Sequence, residues 1–280
     1  MLRLNHVKKA YGDFTLSVSM EVKKGYITGI IGRNGAGKST TFKAVLSLIR
    51  PDEGEVTIFG KDAKKLSGKD KEQLGVALSE AGFSEYLRVT DVAKIMKNCY
   101  RQFDENVFLD RCRNFDLPEN KQIKEFSTGM RAKLKVLCAM SHKAKLLLLD
   151  EPTAGLDVVA RDELLDMMRE YMEDGEHSIL ISSHISTDLE GLCDDLYLIH
   201  DGKILLHEET DKLLSDYGML KVSEEQYQNL DKRFVLGTLK ESYGYRLLTN
   251  EKQYYQENAP QVVVEKSSVD EVISVMTRGE

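Results

Sequence analysis

From Phe14 to Val22 the chain alternates: Phe14, Leu16, Val18, Met20 and Val22 are apolar, with Thr15, Ser17, Ser19 and Glu21 between them. A period of two predicts a strand with one buried face. Residues 26–31 are nearly all apolar and predict a buried strand. Phe42, Val45, Leu46 and Ile49 then recur at helical spacing until Arg50-Pro51 stops the helix. A short strand is predicted around 55–59. The lysine-rich stretch 61–71 reads as a solvated face without a role of its own. Between about 85 and 140 the pattern is helical: 89–100, 106–114, and a helix with Met130, Leu134, Leu137 and Cys138 on one side. Strand character returns at 146–149, 179–182 and 196–200, and a helix carrying Leu164, Met168, Tyr171 and Met172 separates the first two. Strands alternating with helices predict an α/β fold on a mainly parallel sheet, interrupted by a helical lobe at 85–140. Its ligand crevice is expected at the C-terminal strand ends.

Beyond residue 208 the pattern changes. Ser223-Glu224-Glu225-Gln226 and Ser268-Val269-Asp270-Glu271 have the form of capping boxes opening short helices, and 243–249 and 262–264 read as strands. Residues 209–280 are therefore expected to form a small α+β appendage. It holds Tyr217, Tyr227, Tyr243, Tyr245, Tyr254 and Tyr255, half of the 12 tyrosines, which are expected mainly in its core. From residue 208 onward 14 acids face 9 lysines and arginines, so this part carries −5 of the net −7. Its expected role is dimerisation or regulation.

Composition narrows the class. The net charge of −7 argues against a dedicated nucleic-acid binder, and 41% hydrophobic residues suffice for a sizeable core. No apolar run approaches a membrane span, and the N-terminus lacks the architecture of a signal peptide. Cys99, Cys112, Cys138 and Cys193 are scattered, which suits reduced thiols in a cytosol better than disulfides or zinc. A soluble, cytosolic protein is expected.

Two constellations carry chemistry. Gly32-Arg33-Asn34-Gly35-Ala36-Gly37-Lys38-Ser39-Thr40 fits the phosphate-binding pattern G-x-x-x-x-G-K-[ST] without a mismatch. Backbone N–H groups of such a loop cup phosphates, Lys38 adds a point charge, and the Ser39 hydroxyl can ligate Mg²⁺. The strand before it and the helix after it supply the context the motif needs. Second, Leu146-Leu147-Leu148-Leu149 ends abruptly in Asp150-Glu151. Two acids at the end of a doubly buried strand repel each other unless a cation or polar cleft receives them. With a phosphate loop in the same chain, Asp150 is the expected Mg²⁺ partner, and Glu151 the group that polarises a water attacking the γ-phosphate.

Over about residues 1–208 the chain resembles the ATP-binding subunits of ABC transporters, in the bacterial branch that pairs a single-domain ATPase with a separate permease. The resemblance implies a P-loop NTPase (RecA-like) α/β fold, with an antiparallel β subdomain and the helical lobe, binding ATP and Mg²⁺. Tyr11, in Lys8-Lys9-Ala10-Tyr11-Gly12, stands where the family keeps an aromatic that stacks on adenine. Phe126-Ser127-Thr128-Gly129-Met130 occupies the signature loop. Ser127 and Gly129 match; Thr128 replaces a glycine and Met130 a glutamine. Ala154-Gly155-Leu156-Asp157 resembles the D-loop, and Ser182-Ser183-His184 the switch whose histidine reaches the γ-phosphate. One position departs: the family's glutamine after the strand 74–78 is replaced by Ser79, followed by Glu80, and either could serve the metal. One copy of each motif implies a second nucleotide-binding subunit, most simply a homodimer, in which Ser127 and Gly129 cap ATP on the opposite subunit. The resemblance further implies a membrane permease as partner, no nucleic acid, and a place on the inner face of the cell membrane. The alternative is a soluble ABC-type ATPase acting on ribosome or DNA. The ribosomal kind usually carries two nucleotide domains, and the DNA-repair kind a long heptad insertion that this sequence lacks.

Overall fold

The computed structural model describes residues 1–279. The N-terminal alternation forms β2 (Phe14–Val22), paired antiparallel with β1 (Leu2–Tyr11). The alternation of β1 is broken by a register shift between Leu4 and Val7, where His6 adopts φ 48°. This bulge hides the strand from a period-two reading. The fully buried β3 (Ile27–Ile31) leads through the glycine loop into α1 (Lys38–Val45). This helix ends earlier than the apolar spacing to Ile49 predicts, because Ser47 turns to φ 56°.

The lysine-rich segment exposes its lysines as expected, on short regular elements. After β4 (Glu53–Ile58) it forms β5 (Lys61–Asp62) and α2 (Gly68–Lys71), the latter closed by a Ser67–Asp70 capping box. The short β6 (Leu74–Ala77) then opens into a lobe of α3 (Val89–Cys99), α4 (Glu105–Asn114) and α5 (Thr128–Met140). The remaining core elements are β7 (Leu146–Asp150), α6 (Val158–Met172), β8 (Ser178–Ser183), α7 (Ser186–Glu190), β9 (Asp195–His200) and β10 (Lys203–Glu209).

The ten strands make one sheet in the order β5-β4-β1-β2-β10-β9-β3-β8-β7-β6. Its β9-β3-β8-β7-β6 half is parallel, and β5, β4, β1 and β2 pair antiparallel beside it. Strand β7 explains why the half is parallel and covered on both sides. Leu147 and Leu149 join Leu134 and Leu137 of α5 in one core, while Leu146 and Leu148 join Phe42 and Val45 of α1 in the other. Register aligns the strand ends: Asp150 lies opposite Ser182, and Ile31 opposite Ser183.

Residues after β10 form α8 (Thr210–Ser215), β11 (Gly218–Val222), α9 (Glu224–Asn229), β12 (Val235–Glu241), β13 (Gly244–Thr249), α10 (Lys252–Asn258), β14 (Val263–Lys266) and α11 (Val269–Arg278). The strands make an antiparallel sheet ordered β12-β13-β11-β14, and both expected capping boxes close, at Ser223–Gln226 and Ser268–Glu271. One face of this sheet has its own small core around Leu220, Leu247 and Tyr255. The other face joins the main core through Met219, Leu248 and the α11 residues Val269, Val272 and Val275. The tyrosines mainly meet the expectation: Tyr255 is buried in this small core and Tyr227, Tyr245 and Tyr254 pack against it, whereas Tyr217 is buried in the main core and Tyr243 is 97% exposed beside Gly244 at the β12–β13 turn.

Helix α5 lies so close to β6 that a Cβ on Gly75 would fall well inside van der Waals contact distance of the Ala139 carbonyl oxygen and press on Leu147. Gly75→Ala is expected to lower stability by about 1–3 kcal/mol through overpacking. Thermal unfolding followed by circular dichroism measures it, and an unchanged midpoint would mean that α5 rides freely on the sheet.

Candidate functional site

The chemistry predicted from sequence gathers at the C-terminal ends of β3, β7 and β8. Gly37, at φ 112°, turns the loop into α1, a conformation that a side chain would strain. A Cβ on Gly32 would collide with the Ile199 carbonyl oxygen of β9, so the loop lies directly on the sheet. It is anchored there by the Gly202 N–H donating to the Ala36 carbonyl at 2.9 Å, and braced by the Ala36 N–H donating to the Arg33 carbonyl at 3.1 Å. Lys38 is buried and donates from Nζ to the carbonyls of Gly32 at 2.6 Å and Arg33 at 3.2 Å.

The same ammonium lies 3.0 Å from Glu151 Oε1. Glu151 adopts φ 51°, uncommon for a residue with a side chain, and its N–H donates to Ser182 Oγ at 3.0 Å. Its second oxygen, Oε2, is 2.7 Å from His184 Nδ1. A carboxylate can only accept, so that imidazole nitrogen donates. Lys38, Glu151 and His184 thus form one continuous polar chain across three strand ends. Asp150, 2% exposed, accepts from Ser182 Oγ at 2.7 Å through Oδ1 and from Ser79 Oγ at 2.9 Å through Oδ2.

Ser79 and Glu80 turn in different directions. Ser79 faces Asp150, whereas Glu80 turns outward to Lys43 Nζ of α1 at 2.9 Å and holds that ammonium above its ordinary pKa. Lys135 of α5 donates to the Ser79 carbonyl at 3.3 Å, and burial lowers its pKa.

An open cleft of about 360 Å³ is lined by Asn34, Gly35, Gly37, Lys38, Ser39, Thr40, Ser79, Glu151 and Phe14. Phe14 is the residue that sequence reasoning missed. It heads the alternating series of β2 and so reads as core, yet it sits opposite Tyr11 across the β1–β2 hairpin. Tyr11 itself stands outside this lining, 45% exposed, with Lys9 Nζ 5.6 Å from its ring centre. Nor do Ser127, Gly129 and Asp157 reach the cleft. Ser127 caps α5 by accepting from the Met130 N–H at 3.1 Å, and Asp157 caps α6 by accepting from the Ala160 N–H at 2.9 Å. They lie beside each other, since a Cβ on Gly129 would come within 3.2 Å of the Ala160 methyl group. The starts of α5 and α6 are therefore neighbours, and Ser127, Gly129 and Asp157 line no part of the cleft over the glycine loop.

Among the described residues no group of three or more His, Cys, Asp or Glu side chains could hold a metal alone. The donor set of one carboxylate and serine hydroxyls instead fits a hard cation completed by phosphate oxygens and water.

A family model described as ABC transporter matches residues 16–154. The lantibiotic transport ATP-binding protein SrtF of Streptococcus pyogenes is 33% identical over 215 residues, covering 75% of this chain and 92% of that protein. The bacitracin transport ATP-binding protein BcrA of Bacillus licheniformis is 35% identical over 215 residues, covering 73% and 68%. The ABC transporter ATP-binding protein YtrB of Bacillus subtilis is 29% identical over 232 residues, covering 82% and 79%. Among solved structures, an ATP-binding subunit of an ABC transporter superposes with a TM-score of 0.68 at 27% identity, covering 76% of this chain and 91% of that one. A dimeric, post-hydrolysis ATP-binding cassette bound to ADP and Pi shares the fold at a TM-score of 0.66 and 20% identity, covering 75% and 99%. With relatives matched at 33% and 35% identity over most of their length, the chain belongs to the ABC transporter family as an ATP-binding protein and an ATPase.

Proposed function

We propose that this chain binds Mg²⁺-ATP in the cleft over its glycine loop and hydrolyses it to drive a separate membrane permease. The observation that carries the reading is the Lys38–Glu151–His184 chain, which sets a cation, a carboxylate and an imidazole side by side at the strand ends. The bound nucleotide and its metal supply the phosphoryl group and a Lewis acid. Gly32, Arg33, Asn34, Gly35, Ala36, Gly37, Lys38, Ser39 and Thr40 form the phosphate cradle, and Ser39 and Asp150 are the metal ligands. Ser79 is placed to hold a metal-bound water through its bond to Asp150. Glu151 serves as general base, and His184 keeps its carboxylate oriented by donating to one oxygen. Phe14, on the cleft wall, is better placed than Tyr11 to pack against a base, and Tyr11 keeps an outer position.

We further infer that two copies of the chain close around two nucleotides. Ser127, Gly129 and Asp157 line no part of their own chain's cleft, and the exposed start of α5 can offer its N–H groups to a phosphate held by another copy. In this arrangement residues 1–208 are the ATP-binding unit, residues 209–280 a regulatory or dimerisation unit, and the assembly sits at the inner face of the membrane beneath its permease. No helix among the described residues is long and apolar enough to cross a membrane, which suits attachment through a partner.

Lys38→Ala removes the cation inside the loop, and ATP affinity is expected to fall about ten- to a hundredfold, as for a lost charged hydrogen bond. Fluorescent-nucleotide titration reads this, and equal affinity would count against the phosphate cradle. Glu151→Gln keeps the shape but removes the base, so turnover should drop about 10²–10⁴-fold while ATP binding persists. ATP-dependent dimers of this variant are expected in gel filtration; a fully active monomer would sink both roles.

The metal site has its own test. Ser79→Ala should raise the Mg²⁺ concentration needed for half-maximal turnover, whereas Glu80→Gln should leave it unchanged because Glu80 is engaged by Lys43. The reverse ranking in a Mg²⁺ titration would place Glu80, not Ser79, at the metal.

A further inference from the structure

We propose that helix α11 holds the short helix α7 and thereby positions His184, so that residues 209–280 set the rate of hydrolysis through Glu190. The proposal rests on the reading of His184 given above.

Helix α7 is only five residues long and follows His184 after a single intervening residue, Ile185. A helix of that length does not hold its shape by its own hydrogen bonds, so neighbouring elements must fix it. On one side stands α6. Arg161 Nε is 3.7 Å from Asp188 Oδ1, and Arg169 Nη2 donates to the Gly191 carbonyl at 3.2 Å. This grip is incomplete, because Asp188 is 2% exposed and its Oδ2 has no hydrogen-bond partner. On the other side stands α11. The Val269 N–H at its start, a donor that no helical carbonyl can satisfy, donates to Glu190 Oε1 at 3.2 Å. Leu189 is 0% exposed and shares one core with Val269, Val272 and Val275 of α11. Glu190 is thus at once the last residue of α7 and a cap of α11.

The other end of this contact reaches the second sheet. Arg246 of β13 donates to Glu271 of α11 at 2.7 Å, and a Cβ on Gly237 of β12 would meet Val275 Cγ1 at 2.8 Å. Any shift of α11 against that sheet is therefore transmitted to α7, and from α7 across one residue to the imidazole that holds Glu151. Glu190 and Val272 are positioning residues, acting on the reaction only through His184.

A double-mutant cycle tests this, with phosphate release and fluorescent-nucleotide affinity as readouts. Glu190→Ala should lower kcat about three- to tenfold, within the range of coupling energies between interacting residues, and leave nucleotide affinity within about twofold. Glu190→Gln keeps an acceptor oxygen for the Val269 N–H and should restore kcat. In a His184→Ala background, Glu190→Ala should cause no further loss. An unchanged kcat in Glu190→Ala, or the same proportional loss with and without His184, overturns the proposal. If Glu190→Ala fails to fold, Val272→Ala is carried through the same cycle with the same outcomes. Parental turnover in His184→Ala alone would overturn the role of His184 itself, and this proposal with it, whereas a slow His184→Ala beside an unaffected Glu190→Ala overturns only the positioning.

Discussion

Four leucines with no solvent exposure carry two carboxylates to the end of β7, and the rest of the site answers that constraint. Asp150 is almost wholly withdrawn from water, and a buried carboxylate is costly unless its oxygens are hydrogen-bonded. The in-register neighbour Ser182 supplies one hydroxyl, and Ser79, just beyond the other neighbour β6, supplies the second. Glu151 leaves the strand that ends at Asp150. Its backbone turns to φ 51°, and the side chain swings across to Lys38 and His184.

That swing connects the two roles proposed for the cleft. The lysine of the glycine loop, proposed to meet phosphate, is the same lysine that pairs with Glu151, the proposed base. A phosphate taking Lys38 competes with Glu151 for one ammonium, and the carboxylate it displaces remains tethered to His184. On that proposal, binding of an anion and release of Glu151 are coupled by a single cation in a poorly solvated position, where electrostatic interactions are stronger than at the surface.

The C-terminal residues are joined to this machinery by burial. A unit of about seventy residues buries too little surface to be robust by itself. Here one face of its sheet uses the main core instead, through Met219, Leu248 and the valines of α11. The change in sequence character near residue 208 marks where the first sheet ends, at Glu209 of β10. It does not mark where the core ends, so a tail that reads as an appendage is packed against the helix that follows His184.

Much of this was legible in the chain itself. Period-two alternation exposed β2, the unbroken leucine run exposed β7, and serine-to-glutamate or serine-to-glutamine spacing exposed the starts of α9 and α11, because each pattern reflects forces acting within a few residues. The phosphate loop and the acidic pair were legible for the same reason: their chemistry is contiguous. Strand β1 escaped because a bulge breaks its period, and Phe14 because an apolar residue in an alternating strand looks like core. The partners of Ser79, Glu80 and Glu190 could not be read at all. They lie dozens of residues away, and which oxygen meets which donor depends on sheet register and helix packing. Sequence by itself determined the class of ligand, through a contiguous phosphate-binding pattern. Only tertiary structure decided how those charges are paired, because pairing is set by the non-local burial that brings the strand ends together.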